Sequence, residues 1–137
     1  MDSLTTAARS ERMSRVRGKN TGPELAVRRL IHGLGYRFRL HRRDLPGTPD
    51  LVFPGRRRVI FVHGCFWHRH PDPGCRLARM PKSRQDYWGP KLEGNRVRDL
   101  RKEAALAEAG WDVMTIWECE LRDMGSLENR IRTFLGA

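Results

Sequence analysis

The sequence predicts a mixed α/β domain, one central sheet flanked by helices, and three observations predict it. Amphipathic helix patterns stand near both ends of the chain, and apolar segments with strand character lie between them. The order helix, three strands, long loop, helices, strand, helix closes as a sheet with helices packed on it. The 137 residues are enough for one core and not for two. Residues 1–20 read as a basic arm and residues 21–137 as a single domain, with no internal repeat.

Each element has its own signal. From Thr5 to Asn20, Arg9, Arg12, Arg15, Arg17 and Lys19 stand among small residues, with Met13 and Val16 the only sizeable apolar groups. This reads as an arm or short helix that orders on DNA, and as a solvated tail without it. Thr21-Gly22-Pro23-Glu24 is a capping box that starts a helix. Val27, Leu30, Ile31 and Leu34 give that helix one apolar face, and Gly33 and Gly35 stop it. Tyr36 to Leu40 alternates apolar residues with Arg, as a half-exposed strand does. Pro46-Gly47-Thr48-Pro49 is a turn. Asp50 to Phe53 and Val59 to Val62 are strands joined by a hairpin over Pro54 to Arg58. His63 to Met80 shows no period and is dense in His, Cys, Pro and Gly, so it is a long loop with a function or a metal brace. A helix is expected over Ser83 to Leu92 and another over Asn95 to Ala109, the second with Val97, Leu100, Ala104 and Ala107 on one face. Val113 to Trp117 is a strand, with Trp111 and Trp117 assigned to structure. Leu127, Ile131, Phe134 and Leu135 mark a closing helix.

Lys and Arg number 27 against 16 Asp and Glu, a net charge of +11. So large an excess on a small chain argues for a polyanionic partner, DNA or RNA first. No segment has the roughly 20 apolar residues of a membrane helix, and residues 1–20 lack the apolar core of a secretory signal. A cytoplasmic, nucleoid-associated location is expected. Three cysteines exclude a full disulfide framework, and Cys among His in a reducing compartment suggests a metal. Cys65, His70 and Cys75 are spaced C-x4-H-x4-C, and Cys119 offers a fourth ligand for a tetrahedral zinc. His63 and His68 compete with His70 for that role, and spacing does not separate them. Three buried free cysteines would explain the pattern without a metal.

Asp50 opens a strand, where a carboxylate can bind Mg²⁺, a hard cation that prefers oxygen. Many Mg²⁺ nucleases place Asp and then Glu-x-Lys on two adjacent strands. Here the second triplet is Phe61-Val62-His63, with no second carboxylate and His in place of Lys. His63 and His68 suit general acid–base work or phosphate binding. Glu24 is a further carboxylate beside its capping role.

The stretches Leu45-Pro46-Gly47-Thr48-Pro49-Asp50, Val59 through His68 with its His-Gly-Cys-Phe-Trp-His run, and Trp117-Glu118-Cys119 closely resemble the very-short-patch-repair (Vsr) mismatch endonucleases. The similarity runs from about Arg9 to Cys119. The resemblance implies a restriction-endonuclease-like fold with a zinc-braced loop and a Mg²⁺-dependent enzyme. That enzyme nicks the T strand 5′ of a T:G mismatch left by deamination of 5-methylcytosine. It implies Asp50 and the backbone carbonyl of Val62 as Mg²⁺ ligands, and His68, oriented by Asp99, as the acid–base group. Glu24 and His63 complete the centre. Cys65, His70, Cys75 and Cys119 hold zinc. Phe66, Trp67 and Trp88 form an aromatic wedge, with Met13 acting from the opposite groove, Lys91 and Asn95 at the mismatched bases, and Arg9 and Arg12 on the backbone. Val62 replaces a Thr of the family pattern, which a carbonyl ligand tolerates, and the segment from His70 to Cys75 is two residues longer than the pattern. The expected partner is double-stranded DNA with a T:G mismatch, together with mismatch-repair proteins, and the enzyme is expected to be a monomer away from membranes. The alternatives are a less selective restriction-like nuclease, which would cut matched duplex too, and a zinc-braced DNA-binding module that does not cut.

Overall fold

The computed structural model describes residues 21–80 and 85–136; Arg9, Arg12 and Met13 lie outside them. Four strands, β1 (Arg39–Leu40), β2 (Leu51–Phe53), β3 (Arg58–His63) and β4 (Asp112–Trp117), form one sheet in the order β1-β2-β3-β4. The first three pair antiparallel, and β4 joins β3 in parallel. That reversal needs a long crossover. The His-Cys loop and helix α2 (Gln85–Glu108) supply it, between α1 (Gly22–Gly33) and α3 (Met124–Leu135).

Strand alternation sorts side chains to two faces. Leu51, Phe53, Ile60, Met114 and Ile116 turn to one face, where Val27 and Ile31 of α1 and Leu127, Ile131 and Leu135 of α3 cover them. Val52, Val59 and Phe61 turn to the other, against Leu106 of α2 and Trp111. Strands β2, β3 and β4 are thus covered on both faces, and their central residues are mostly apolar for that reason.

The first strand is shorter than its alternating pattern: only Arg39 and Leu40 pair, and both are exposed. The turn before β2 is as expected, with Gly47 at φ +77° and Thr48 at φ +48°. The two helices expected in the second half are one, continuous from Gln85 to Glu108 through Pro90. Its expected face was also wrong. Leu100 is 52% exposed and Ala104 and Ala107 are exposed, whereas Leu92, Asn95 and Leu106 are buried. Polar residues hold part of the inward face, so hydrophobic periodicity alone points to the wrong side.

Candidate active site

The site grows from the place where β2 runs out and β3 continues. Opposite Leu51 stands Ile60, so two steps on Val62 has no strand partner on the β2 side. Its N–H instead donates to Asp50 Oδ2 at 2.7 Å. In a strand the N–H and C=O of one residue point to the same neighbour, so the Val62 carbonyl shares that side.

Glu24 comes from the first turn of α1. Thr21 caps that helix as expected, its Oγ1 accepting from the Glu24 N–H at 3.3 Å. The Glu24 carboxylate does not return to the cap. It is buried, ion-paired with Arg28, and accepts from His41 Nε2 at 3.0 Å. His41 Nε2 also lies 3.8 Å from Asp50 Oδ1. One ligand atom each from Glu24, His41 and Asp50 falls within 4.8 Å of the others. Burial, with Glu24's charge adding to it and the Val62 N–H opposing it, pushes the Asp50 carboxyl up to about 7. A divalent cation would reverse that.

His63 follows Val62 and, two residues on from Phe61, faces α2. Its ring stacks on His68, with centroids 3.9 Å apart and planes at 6°. His68 Nδ1 donates to Asp99 Oδ2 at 2.6 Å, and Asp99 projects from α2. Burial and then the neighbouring His68 push His63 down to about 3, so it is a neutral imidazole. Its Nδ1 is buried with no partner.

In the third cluster it is His70 that stands with the cysteines. Cys65, His70, Cys75 and Cys119 bring their ligand atoms within 4.8 Å of one another, with His70 Nδ1 3.5 Å from Cys119 Sγ. His63 and His68 belong instead to the group with Asp99. Trp117 joins the two groups: the β3–β4 register sets it beside His63, and it stacks on His70 at 4.4 Å. Its role in the site was missed by sequence reasoning. His41 was missed as well; the only hint was its place one residue past β1.

Phe66, Trp67 and Trp88 pack edge to face at 5.1 to 5.8 Å, all partly exposed. Tyr87 extends the cluster and lies under Lys91 Nζ at 5.6 Å. Asn95 is buried and donates to the Trp67 carbonyl at 3.0 Å, so it holds the backbone of this cluster. Beyond the cysteines a groove of about 650 Å³ is lined in part by Arg69, Arg76, Arg79 and Arg96. No described helix is long and apolar enough to cross a membrane.

Residues 1–73 match the family model "DNA mismatch endonuclease Vsr". The chain is 63% identical over 134 residues to the type II nicking enzyme V.XorIIP of Xanthomonas oryzae pv. oryzae, covering 98% of this chain and 96% of that one. It is 39% identical over 127 residues to the DNA mismatch endonuclease Vsr of Escherichia coli K12, covering 93% and 80%. In fold it resembles the catalytic domain of the homing endonuclease I-Bth0305I, with TM-score 0.56 and 20% identity over 84% of this chain and 94% of that one.

Proposed function

The chain belongs to the Vsr family of DNA mismatch endonucleases, and from that premise we propose that it nicks the T strand 5′ of a T:G mismatch with Mg²⁺ as cofactor. It is a DNA endonuclease, and its fold is the restriction-endonuclease-like one expected. The observation that carries the finer reading is the pair of centres on either side of the β3 end. On one side stand Asp50 and Glu24, and on the other stands His68 held by Asp99.

Oxygen donors suit Mg²⁺, and Asp50, the Val62 carbonyl and Glu24 are the set that would hold it. When bound there, the ion supplies Lewis-acid stabilisation of the phosphate and a more acidic water. Asp50 is fixed for this by the Val62 N–H. His68 takes or gives the proton through Nε2, because its Nδ1–H is committed to Asp99. His63, neutral and buried, is a flat wall that sets the plane of the His68 ring. Cys65, Cys75, Cys119 and His70 fit a closed structural zinc, a Cys₃His set with no open position. Without such a brace the loop that carries Trp67 and His68 has little core of its own. Phe66, Trp67 and Trp88 form the wedge, Lys91 stands beside it at the bases, and Met13, Arg9 and Arg12 add contacts from the arm. Double-stranded DNA is the substrate partner, and the +11 charge provides for its backbone.

The test is a nicking assay on matched and T:G duplexes with varied flanks, with and without Mg²⁺. The reading expects one product, cut 5′ of the mismatched T, only with the ion present. Equal cutting of matched duplex would replace it with a less selective nuclease. Binding without cutting would replace it with a DNA-binding module.

A further inference from the structure

We propose that His41 is the positioning residue of the cation site, a ring whose N–H holds Glu24 in place across from Asp50 so that the two carboxylates converge. The proposal rests on the reading of Asp50 as the site of the catalytic cation.

The backbone makes the juxtaposition. In the β1–β2 ladder Arg39 pairs with Val52 and Leu40 with Leu51, so the next pair is His41 and Asp50. The His41 N–H reaches the Asp50 carbonyl at 3.4 Å, and the ladder ends there. At this step His41 leaves the strand conformation for φ +46°, in the left-handed region. A side chain with a Cβ adopts that region at a cost, and such residues gather where structure is imposed for function. The departure sets the ring between two acids that come from different elements, α1 and the start of β2. Nε2 stands 3.0 Å from Glu24 Oε2 and 3.8 Å from Asp50 Oδ1, with the ring 12% exposed.

The chemistry of the donor settles the role. A carboxylate only accepts, so Nε2 carries the proton toward Glu24 and has no lone pair left for a metal. A neutral imidazole can make this donation, as a charged one can. Two desolvated carboxylates this close repel each other, and Glu24 contributes to the raised pKa of Asp50. A donor bound to Glu24 from the β1 side, with Arg28 bound to it from the next turn of α1, fixes that carboxylate against the repulsion. The cation then meets a formed pair in place of two swinging side chains, as with other residues that orient metal ligands.

The experiment uses the full chain as purified, without chelator. Mn²⁺ binding is followed by electron paramagnetic resonance, beside the Mg²⁺ dependence of nicking a T:G duplex, for wild type, His41→Ala, His41→Gln and Asp50→Ala. His41→Ala is expected to weaken Mn²⁺ binding roughly 10–100-fold and to raise the Mg²⁺ concentration for half-maximal nicking by a similar factor. Saturating Mg²⁺ should restore most of its rate. His41→Gln, whose amide also donates, should recover most of the affinity. Wild-type Mn²⁺ affinity in His41→Ala overturns the proposal while Asp50→Ala still upholds the cation site. Equal loss in His41→Ala and His41→Gln, in step with a fall in melting temperature, also overturns it and makes His41 a strut between α1 and the sheet. A wild-type chain with no saturable Mn²⁺ site removes the reading of Asp50, and the proposal with it.

Discussion

At the scale of single residues, two side chains have states that the surroundings dictate. Asp99 accepts from His68 Nδ1, and this fixes the tautomer and leaves Nε2 as the nitrogen that the proposed mechanism uses. Loss of His68 to Ala is expected to slow nicking by about 10²–10⁴-fold. Asp99→Asn keeps the ring but loses the charged acceptor, so single-turnover rates should show a smaller loss than for His68→Ala. Asp50 behaves differently. Its carboxyl is raised to about 7 in the fold, against about 3.9 in an unfolded chain. Between those values the folded state holds a proton that the unfolded state has lost, so this group's contribution to stability declines as pH rises through that window. In Mg²⁺-free buffer without chelator, Asp50→Asn should therefore melt above wild type at pH 8 and lose that advantage toward pH 4. Parallel melting curves across pH would refute the raised value. The same proton competes with the cation, so the Mg²⁺ requirement for nicking should rise about tenfold per pH unit below about 7.

At the scale of elements, the sequence was legible where one local rule decided the outcome. The Thr21 N-cap and apolar face of α1, the turn at Gly47 and the apolar run of β3 all follow such rules, whereas the Glu24 half of the capping box does not form because that carboxylate turns to Arg28 and His41. The inward face of α2 was not legible, because Asn95 faces inward as a polar residue serving Trp67, while Leu100 faces out. His41 was not legible either. Its significance arises from the β1–β2 register and from a left-handed backbone, neither of which has a sequence signal at a histidine. The cysteines were legible as a candidate set, but which histidine stands with them depends on the loop's path past Cys119. If that set holds zinc, Cys119→Ser should lower bound zinc below its near-stoichiometric level and open residues 64–80 to proteolysis. Unchanged metal content by elemental analysis would refute it. Gly47 makes a second element-scale case. Its φ is +77°, and a Cβ there would stand 2.7–2.8 Å from Lys102 side-chain atoms on α2. Gly47→Ala should cost about 1–3 kcal/mol, read as a lower urea midpoint, since the turn that delivers Asp50 leans on that lysine.

At the scale of the whole molecule, affinity and selectivity are assigned to different parts. The groove past the cysteines carries Arg76 and Arg79, both exposed and without an acidic partner among the described residues. Unpaired arginines of this kind suit phosphates, and phosphate contacts position DNA without reading it. The wedge has the opposite property. Phe66, Trp67 and Trp88 meet edge to face, and as the proposed wedge they would offer ring faces to bases, each stack worth about 1–3 kcal/mol. Parting a mismatched step costs less than parting a matched one, and on the proposed function that difference is the source of selectivity. The two parts should therefore separate under mutation. The double variant Arg76→Ala with Arg79→Ala should weaken binding to matched and T:G duplex by the same factor and flatten the salt dependence by about two phosphate contacts. Trp67→Ala should leave the salt dependence alone and weaken T:G binding more than matched binding, as the arginine pair does not. Titrations of both duplexes at several salt concentrations decide the matter. If Trp67→Ala lowers both affinities equally, the aromatic cluster is packing, and discrimination must come from groups that read the base edges.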